Sequence, residues 1–148
     1  MRIVFNPQMQ FGCVDISNIT FDPKSRDDMP HVLRGLQYIY SNLDLRAEVF
    51  KILEDAIAPE KNKKNGRPGM ELWKILVLAV VRLNLNIDYD RLHELVNNHV
   101  VMRQMMGHSG LFDRTYYELQ TIKDNVQLLT PEILDKINQV VVRAGHKL

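Results

Sequence analysis

Several features that would point to a secreted, disulfide-bonded or membrane-spanning protein are scarce or absent in this chain of 148 residues. Cysteine occurs once, at Cys13, which excludes an internal disulfide framework and a cysteine-based zinc site. The most apolar stretch holds an uncharged run of only seven residues, Ile75–Val81, far short of the roughly 20 that span a bilayer. The N-terminus lacks the apolar core of a signal peptide. We therefore expect a cytoplasmic protein that makes no membrane contact.

Sequence signatures of catalysis and metal binding are also missing. His93-Glu94 resembles the start of a zinc-binding HExxH helix, but Asn97 stands where the second histidine would lie. The turn Gly66–Gly69 has neither the spacing nor the preceding strand of a phosphate-binding glycine loop. No pair of acidic residues is distinguished as a general acid and base. We predict no catalytic residue, no metal ligand and no cofactor, and we expect His93, His99 and His108 to face solvent or cap helices.

The charge of the chain is unevenly distributed, although its formal net value is only +1. The first 58 residues carry six basic and eight acidic side chains, whereas the remainder carries 13 basic and 10 acidic ones. The basic excess is concentrated in the polar loop 59–69, whose cations can neutralise DNA phosphates and release counterions. An ordinary solvated loop is the alternative. The predicted phosphate contacts are Lys61, Lys63, Lys64 and Arg67.

The stretch that follows this loop, about residues 70–85, is the expected centre of the fold. From Leu72 to Leu83 only Lys74 and Arg82 are charged, and a helix that is apolar on nearly every face must be covered on nearly every face. Apolar residues before and after it recur at helical spacing. The sequence therefore predicts an all-α fold, a compact bundle of about six or seven helices around this buried helix. We expect residues 1–24 to form an irregular, extended N-terminal arm and residues 25–148 the helical domain.

Local signals predict several helix ends. Asp44 and Asp88 are predicted N-caps because their carboxylates can accept hydrogen bonds from the first turn. Thr130-Pro131 combines a capping hydroxyl with a proline that suits the first helical position. Gly107 is expected to close a short helix that starts near Val100.

A second candidate for DNA contact lies in residues 113–124, which are predicted to form a helix. Tyr116 is placed on its narrow apolar face and Tyr117 on its polar face. Arginine and glutamine can reach base edges, whereas lysine favours phosphates. Together with the turn and helix that follow, this stretch would suit a helix-turn-helix-like element. An ordinary bundle helix with a polar outer face is the alternative. The predicted contacts here are Arg114, Gln120 and Lys123.

The order and spacing of several motifs resemble a known pattern. The turn Gly66-Arg67-Pro68 precedes the apolar helix, and Asp88-Tyr89-Asp90-Arg91-Leu92 opens the next one. A hydrophobic helix then ends at Gly107, and Phe112-Asp113-Arg114-Thr115 leads into a short polar helix. In this order the motifs resemble the N-terminal domain of bacterial insertion-sequence transposases of the DDE class. The resemblance covers about residues 60–142.

The resemblance implies a function shared between this chain and a further domain. Such transposases carry an RNase H-like catalytic domain, whose acidic triad uses Mg²⁺ to cut and join DNA strands. That domain would begin where this chain ends, so we expect no catalysis by this chain alone. The implied role is to recognise double-stranded DNA at the element ends and to assemble as a homo-oligomer. The family's polar helix carries more arginine at the positions of Glu118 and Leu119.

A protein-interaction module without direct DNA binding is the alternative function. The chain has seven methionines, and Met102, Met105 and Met106 are clustered. With the apolar N-terminal arm they could build a helical homodimer interface, because methionine packs adaptably. Filling of the core is the more common role of such residues. A dimer that is insensitive to salt and has no DNA affinity would favour this alternative.

Overall fold

A computed structural model of the chain describes Phe5 and residues 15–21, 28–57, 69–109 and 113–145. Within these residues the fold is all-α, with seven α-helices and no strand, as the sequence predicts. None of the described helices is both long and apolar enough to cross a membrane. The elements are a 3₁₀ turn (Ile16–Asn18), α1 (Met29–Ser41), α2 (Leu43–Ile57), α3 (Leu72–Leu85), α4 (Tyr89–Asn98), α5 (Val100–Met105), α6 (Leu119–Val126) and α7 (Pro131–Gly145).

Helix α3 is the centre of the bundle, which confirms the prediction for residues 70–85. It packs against α1, α2, α4 and α6. From Leu72 to Val81 every side chain is at most 1% exposed except those of Lys74 and Val80. Lys74 is paired with Glu71, whose Oε1 lies 2.9 Å from Nζ. Each fully buried aliphatic side chain contributes roughly 1.5–3 kcal/mol, so this helix anchors the fold.

Trp73 joins α3 to four other parts of the chain. Its ring lies among those of Phe5, Tyr40 and Phe50, at centroid separations of 6.4, 5.3 and 5.9 Å. The indole Nε1 donates a hydrogen bond to the carbonyl oxygen of Met105 at 2.9 Å. Buried indole N–H groups need such a partner, and here the partner is the last residue of α5.

Three predicted helix ends are confirmed. Asp88 Oδ1 accepts a hydrogen bond from the Arg91 N–H at 2.8 Å and caps α4. Helix α7 begins at Pro131, directly after Thr130. Gly107 follows the end of α5 with a φ of 92°, in the left-handed region that glycine adopts more readily than other residues.

The predicted cap at Asp44 is wrong. Helix α2 begins at Leu43, and Asn42 caps it by accepting a hydrogen bond from the Leu45 N–H at 3.1 Å. Asparagine and aspartate are about equally good N-caps, so propensity alone did not distinguish the two positions. Asp44 instead lies in the first turn, where its charge suits the helix dipole.

The described part of the N-terminal region packs on the helices. Ile16 and Ile19 are buried. Gln37 of α1 donates from Nε2 to both of their carbonyl oxygens, at 3.0 and 2.8 Å. One glutamine therefore fixes the 3₁₀ turn against α1.

Helix α7 is covered less completely than α3. It packs mainly on α2, and Ile137 is its only buried residue. Two grooves run beside it and share Leu134 and Asn138 in their walls. One groove, of about 510 Å³, opens toward α3 and α4; the other, of about 370 Å³, opens toward α1.

Candidate nucleic-acid interface

The predicted DNA contacts divide between two parts of the chain. Those of the polar loop 59–69, called the basic loop below, lie between residues 58 and 68, outside the described residues. They are Lys61, Lys63, Lys64 and Arg67. The structure does describe the second candidate, from Asp113 to the end of α6.

The helix predicted for residues 113–124 is wrong in its first half. Residues 113–118 are not helical, and α6 begins only at Leu119. Asp113 Oδ1 accepts hydrogen bonds from the backbone N–H of Thr115 at 3.0 Å and from its hydroxyl at 2.5 Å. Such local bonds between side chain and backbone compete with helix formation. We refer to residues 113–118 as the Asp113–Glu118 segment.

Two side chains of the α4–α5 region hold the backbone of this segment. Asn97 accepts from the Tyr117 N–H at 2.8 Å and donates to the Tyr117 carbonyl oxygen at 3.1 Å. Arg103 donates to the carbonyl oxygens of Val96 at 3.0 Å and of Thr115 at 2.8 Å. The segment is therefore held by side chains of the helices and not by helical backbone hydrogen bonds within itself.

His108 lies beneath the segment and is 6% exposed, so the expectation that it faces solvent or caps a helix is wrong. Its Nδ1 is 2.7 Å from Asp113 Oδ2, and its Nε2 contacts the hydroxyl of Tyr117. Because a carboxylate can only accept, the Nδ1–H donates to Asp113, and the neutral ring then accepts the Tyr117 O–H at Nε2. We call Asn97, Arg103, His108, Asp113 and Tyr117 the polar cluster.

Burial and hydrogen bonding shift the pKa values of the polar cluster. Burial lowers the pKa of His108, and the hydrogen bond to Asp113 only partly offsets this shift. Burial raises the pKa of Asp113, but the hydrogen bonds from Thr115 and His108 outweigh it and hold the pKa well below its usual range. Burial also raises the pKa of Tyr117. At neutral pH the cluster therefore holds a neutral imidazole, a neutral phenol and a carboxylate.

The burial of the two tyrosines of the segment is the reverse of the prediction. Tyr117 is 8% exposed and Tyr116 is 58% exposed. The Tyr116 hydroxyl lies 2.8 Å from Nε2 of His93 in α4, and the two rings meet edge to face at 5.5 Å. The prediction assumed helical geometry, which does not apply to residues 113–118. The expected capping role of a histidine is met by His99, whose Nδ1 accepts from the Met102 N–H at 3.1 Å.

The predicted contacts Arg114, Gln120 and Lys123 all belong to the Asp113–Glu118 segment and α6. Arg114 and Gln120 are exposed, and Lys123 is half-buried. Gln120 donates to Asp124 at 2.8 Å across one helical turn. The two cations here are balanced by Asp124 and by Glu118, which is also exposed. This surface is therefore polar without being strongly basic.

The helices that flank the turn 127–130 have different neighbours. Helix α6 packs on α3 and α4, whereas α7 packs mainly on α2. The helix-turn-helix-like element stays a prediction.

The methionine cluster does not form an exposed surface. Met102, Met105 and Met106 are each 0% exposed and belong to the core. They consequently fill the interior, and no partner chain can reach them in this conformation.

The part of the candidate interface that sequence reasoning missed is the polar cluster. Its bonds join residues that are 5 to 20 positions apart, and none of them repeats at a helical spacing. His93 and Tyr116 are 23 positions apart. No local signal in the sequence identifies these partners.

Among the described residues, no group of three or more histidine, cysteine, aspartate or glutamate side chains is placed to hold a metal ion. Comparison of the chain with protein-family models, with curated proteins and with solved structures finds no match in any of the three.

Proposed function

We propose that this chain is the DNA-binding and assembly domain of a DDE-class transposase and recognises the DNA at the ends of its element. Strand cleavage and joining, with Mg²⁺, belong in this proposal to a catalytic domain outside these residues. The basic loop neutralises phosphates, and the surface formed by the Asp113–Glu118 segment and α6 makes the remaining contacts.

The supporting observation is that the motifs of the resemblance lie at or close to the ends of three consecutive helices. Three residues separate the sequence Gly66-Arg67-Pro68 from the start of helix α3. Asp88, the first residue of the next motif, caps α4. Gly107, the last residue of the third, follows α5 in the left-handed conformation. Three motifs that agree with the family pattern in order, in spacing and in position relative to helix ends support the resemblance more strongly than any single motif does.

The test is binding of the 148-residue chain to labelled duplexes, measured by anisotropy across a salt series. One duplex carries the terminal sequence of the chain's own element and the other the same bases scrambled. We expect tighter binding to the terminal sequence and a steep fall in affinity with salt, because each neutralised phosphate adds about 0.9 to the slope of log K against log salt. Replacing the loop cations by alanine should reduce that slope by about 3 to 4.

A matched control removes the same amount of charge elsewhere. Arg34, Lys51, Lys136 and Arg143 are exposed and lie on α1, α2 and α7, so their replacement by alanine gives the same net charge. The slope should then change much less than in the loop variant. Equal slopes for the two variants would show that the loop cations make no special contribution to DNA binding. Failure of the unaltered chain to prefer the terminal duplex would remove end recognition.

A second candidate function, a protein-interaction module, is favoured by one observation. The two grooves beside α7 are lined largely by apolar side chains, including Leu83, Leu134 and Val141, and leave α7 incompletely covered. Sedimentation at low and high salt distinguishes the two functions. A dimer that persists in high salt, from a chain without DNA affinity, would favour this second candidate.

A further inference from the structure

The surface above the polar cluster presents two exposed side chains that the cluster itself does not use. Arg114 is exposed and has no hydrogen bond or ion pair among the described residues. Tyr116, two residues later, exposes 58% of its surface. Between and around them, the backbone is held by Asn97 and Arg103 from the helices below. The two side chains are therefore displayed from a support that is already ordered.

The orientation of Tyr116 is fixed at its hydroxyl. The bond to His93 Nε2 at 2.8 Å, with an angle of 89° between the ring planes, holds the far end of the phenol against α4. The residue as a whole still exposes 58% of its surface. A tyrosine has only two side-chain torsions to restrict, so an ordered tyrosine binds a flat partner at low cost in conformational entropy.

We propose that Arg114 and Tyr116 form a nucleotide-contacting pair, in which the guanidinium binds a phosphate and the phenol ring stacks on a base of the adjoining nucleotides. This inference rests on the proposed function. Two residues of chain span at most about 7 Å, and successive bases of one strand rise by about 3.4 Å. The two contacts thus fall on neighbouring nucleotides of the same strand.

The balanced charges around the pair explain why stacking on a base, and not attraction to a phosphate, is its main contribution to DNA binding. Arg114 and Lys123 are offset by Glu118 and Asp124. On α4 the exposed Arg91 is already paired with Glu94, with Nη1 and Oε1 3.1 Å apart. A surface without excess positive charge releases few counterions. Stacking on an aromatic ring needs no net charge and tolerates any base sequence.

Stacking requires a base that is accessible, so the experiment compares two forms of the element-end duplex. One is fully paired and the other carries a single unpaired nucleotide at successive positions. We expect the unaltered chain to bind one of the bulged duplexes more tightly than the paired one. Tyr116→Ala should lose about tenfold in affinity for that bulged duplex with no change in the salt slope. Tyr116→Phe should stay within about twofold, because the ring is what stacks.

Arg114→Ala tests the other half of the pair, and it should reduce the salt slope by about 0.9, one phosphate contact. The control is Leu43→Ala, which removes an exposed large side chain at the start of α2 and should leave binding unchanged. Circular dichroism and thermal unfolding of each variant verify that the fold is intact.

The outcomes separate this inference from the proposed function. If Tyr116→Ala binds the bulged duplexes as the unaltered chain does, while the loop variant binds less tightly, the pair is excluded and the proposed function stands. If Tyr116→Phe loses as much as Tyr116→Ala, the aromatic ring alone does not make the contact, and stacking as its main contribution is excluded. If the unaltered chain binds neither paired nor bulged duplexes, both proposals fall.

Discussion

Helix α3 and the Asp113–Glu118 segment are held in place by different forces. Around α3, apolar side chains from four other helices bury most of the residues from Leu72 to Val81. The segment has little apolar burial beyond Tyr117 and is positioned by hydrogen bonds from Asn97, Arg103 and His108. Apolar burial does not depend on direction and tolerates small shifts, whereas hydrogen bonds weaken steeply with angle. The molecule therefore has a strongly stabilised centre and an accurately positioned surface.

The largest expected effect comes from removing the centre of the apolar region. Trp73→Ala should lower the free energy of unfolding by about 3–5 kcal/mol, because it leaves a cavity among three aromatic rings and an unpaired Met105 carbonyl. Urea denaturation followed by circular dichroism measures the change. The control Leu83→Ala removes an exposed side chain from the same helix and should change stability by less than about 0.5 kcal/mol.

Gly107 lies between Met105, which bonds to Trp73 of α3, and His108 of the polar cluster. Its substitution should have the next largest effect. A Cβ atom there would lie 2.9 Å from Phe5 Cζ, and the φ of 92° disfavours any other residue. Gly107→Ala should therefore lower stability by roughly 2–4 kcal/mol. Gly35→Ala is the matched change in α1, where a new Cβ meets nothing within 4 Å. It should stabilise the helix by about 0.5–1 kcal/mol. A Gly107→Ala variant as stable as the unaltered chain would contradict the described turn.

A smaller and local effect is expected in the polar cluster. Asn97→Ala leaves the Tyr117 N–H and carbonyl oxygen without their partner and should lower stability by about 1–3 kcal/mol. Native-state hydrogen exchange should show faster exchange in residues 113–118 while the amides of α3 remain protected. Asn98→Ala is the control, because this exposed neighbour only donates back to Glu94 of its own helix. Equal acceleration in both variants would mean that Asn97 does not hold the segment.

The smallest effect concerns pH. Burial lowers the pKa of His108 in the folded state below its usual value of 6.5, so the unfolded chain binds this proton more readily. Stability should fall as the pH drops below about 6.5, with a slope of at most about 1.4 kcal/mol per pH unit. The depressed pKa of Asp113 adds a further loss below about pH 4. Unfolding between pH 7.5 and 5 measures the first of these losses. His108→Gln should flatten this region, whereas His31→Gln, at an exposed position, should not.

The two regions also differ in how well their sequences predict them. The burial of α3, the cap at Asp88 and the start of α7 follow from periodicity and from capping chemistry, which are local signals. The burial of His108 and Tyr117 depends on partners elsewhere in the chain, such as Asn97, 20 positions before Tyr117. Two side chains that meet only through the tertiary fold leave no periodic trace in a single sequence. The helical prediction for the whole Asp113–Glu118 segment is wrong because apolar periodicity reveals neither these partners nor the bonds between Asp113 and Thr115.

Trp73, the only tryptophan of the chain, also makes the protein its own optical reporter. The indole is fully buried, its N–H is bonded to Met105, and the Tyr40 ring lies 5.3 Å away. Its emission should be blue-shifted in the folded chain and should shift to longer wavelength only when the centre of the bundle opens. Local opening of the Asp113–Glu118 segment, or contact of Tyr116 with a nucleotide, should leave that emission wavelength unchanged. A single spectrum thus separates loss of the fold from changes confined to the candidate interface.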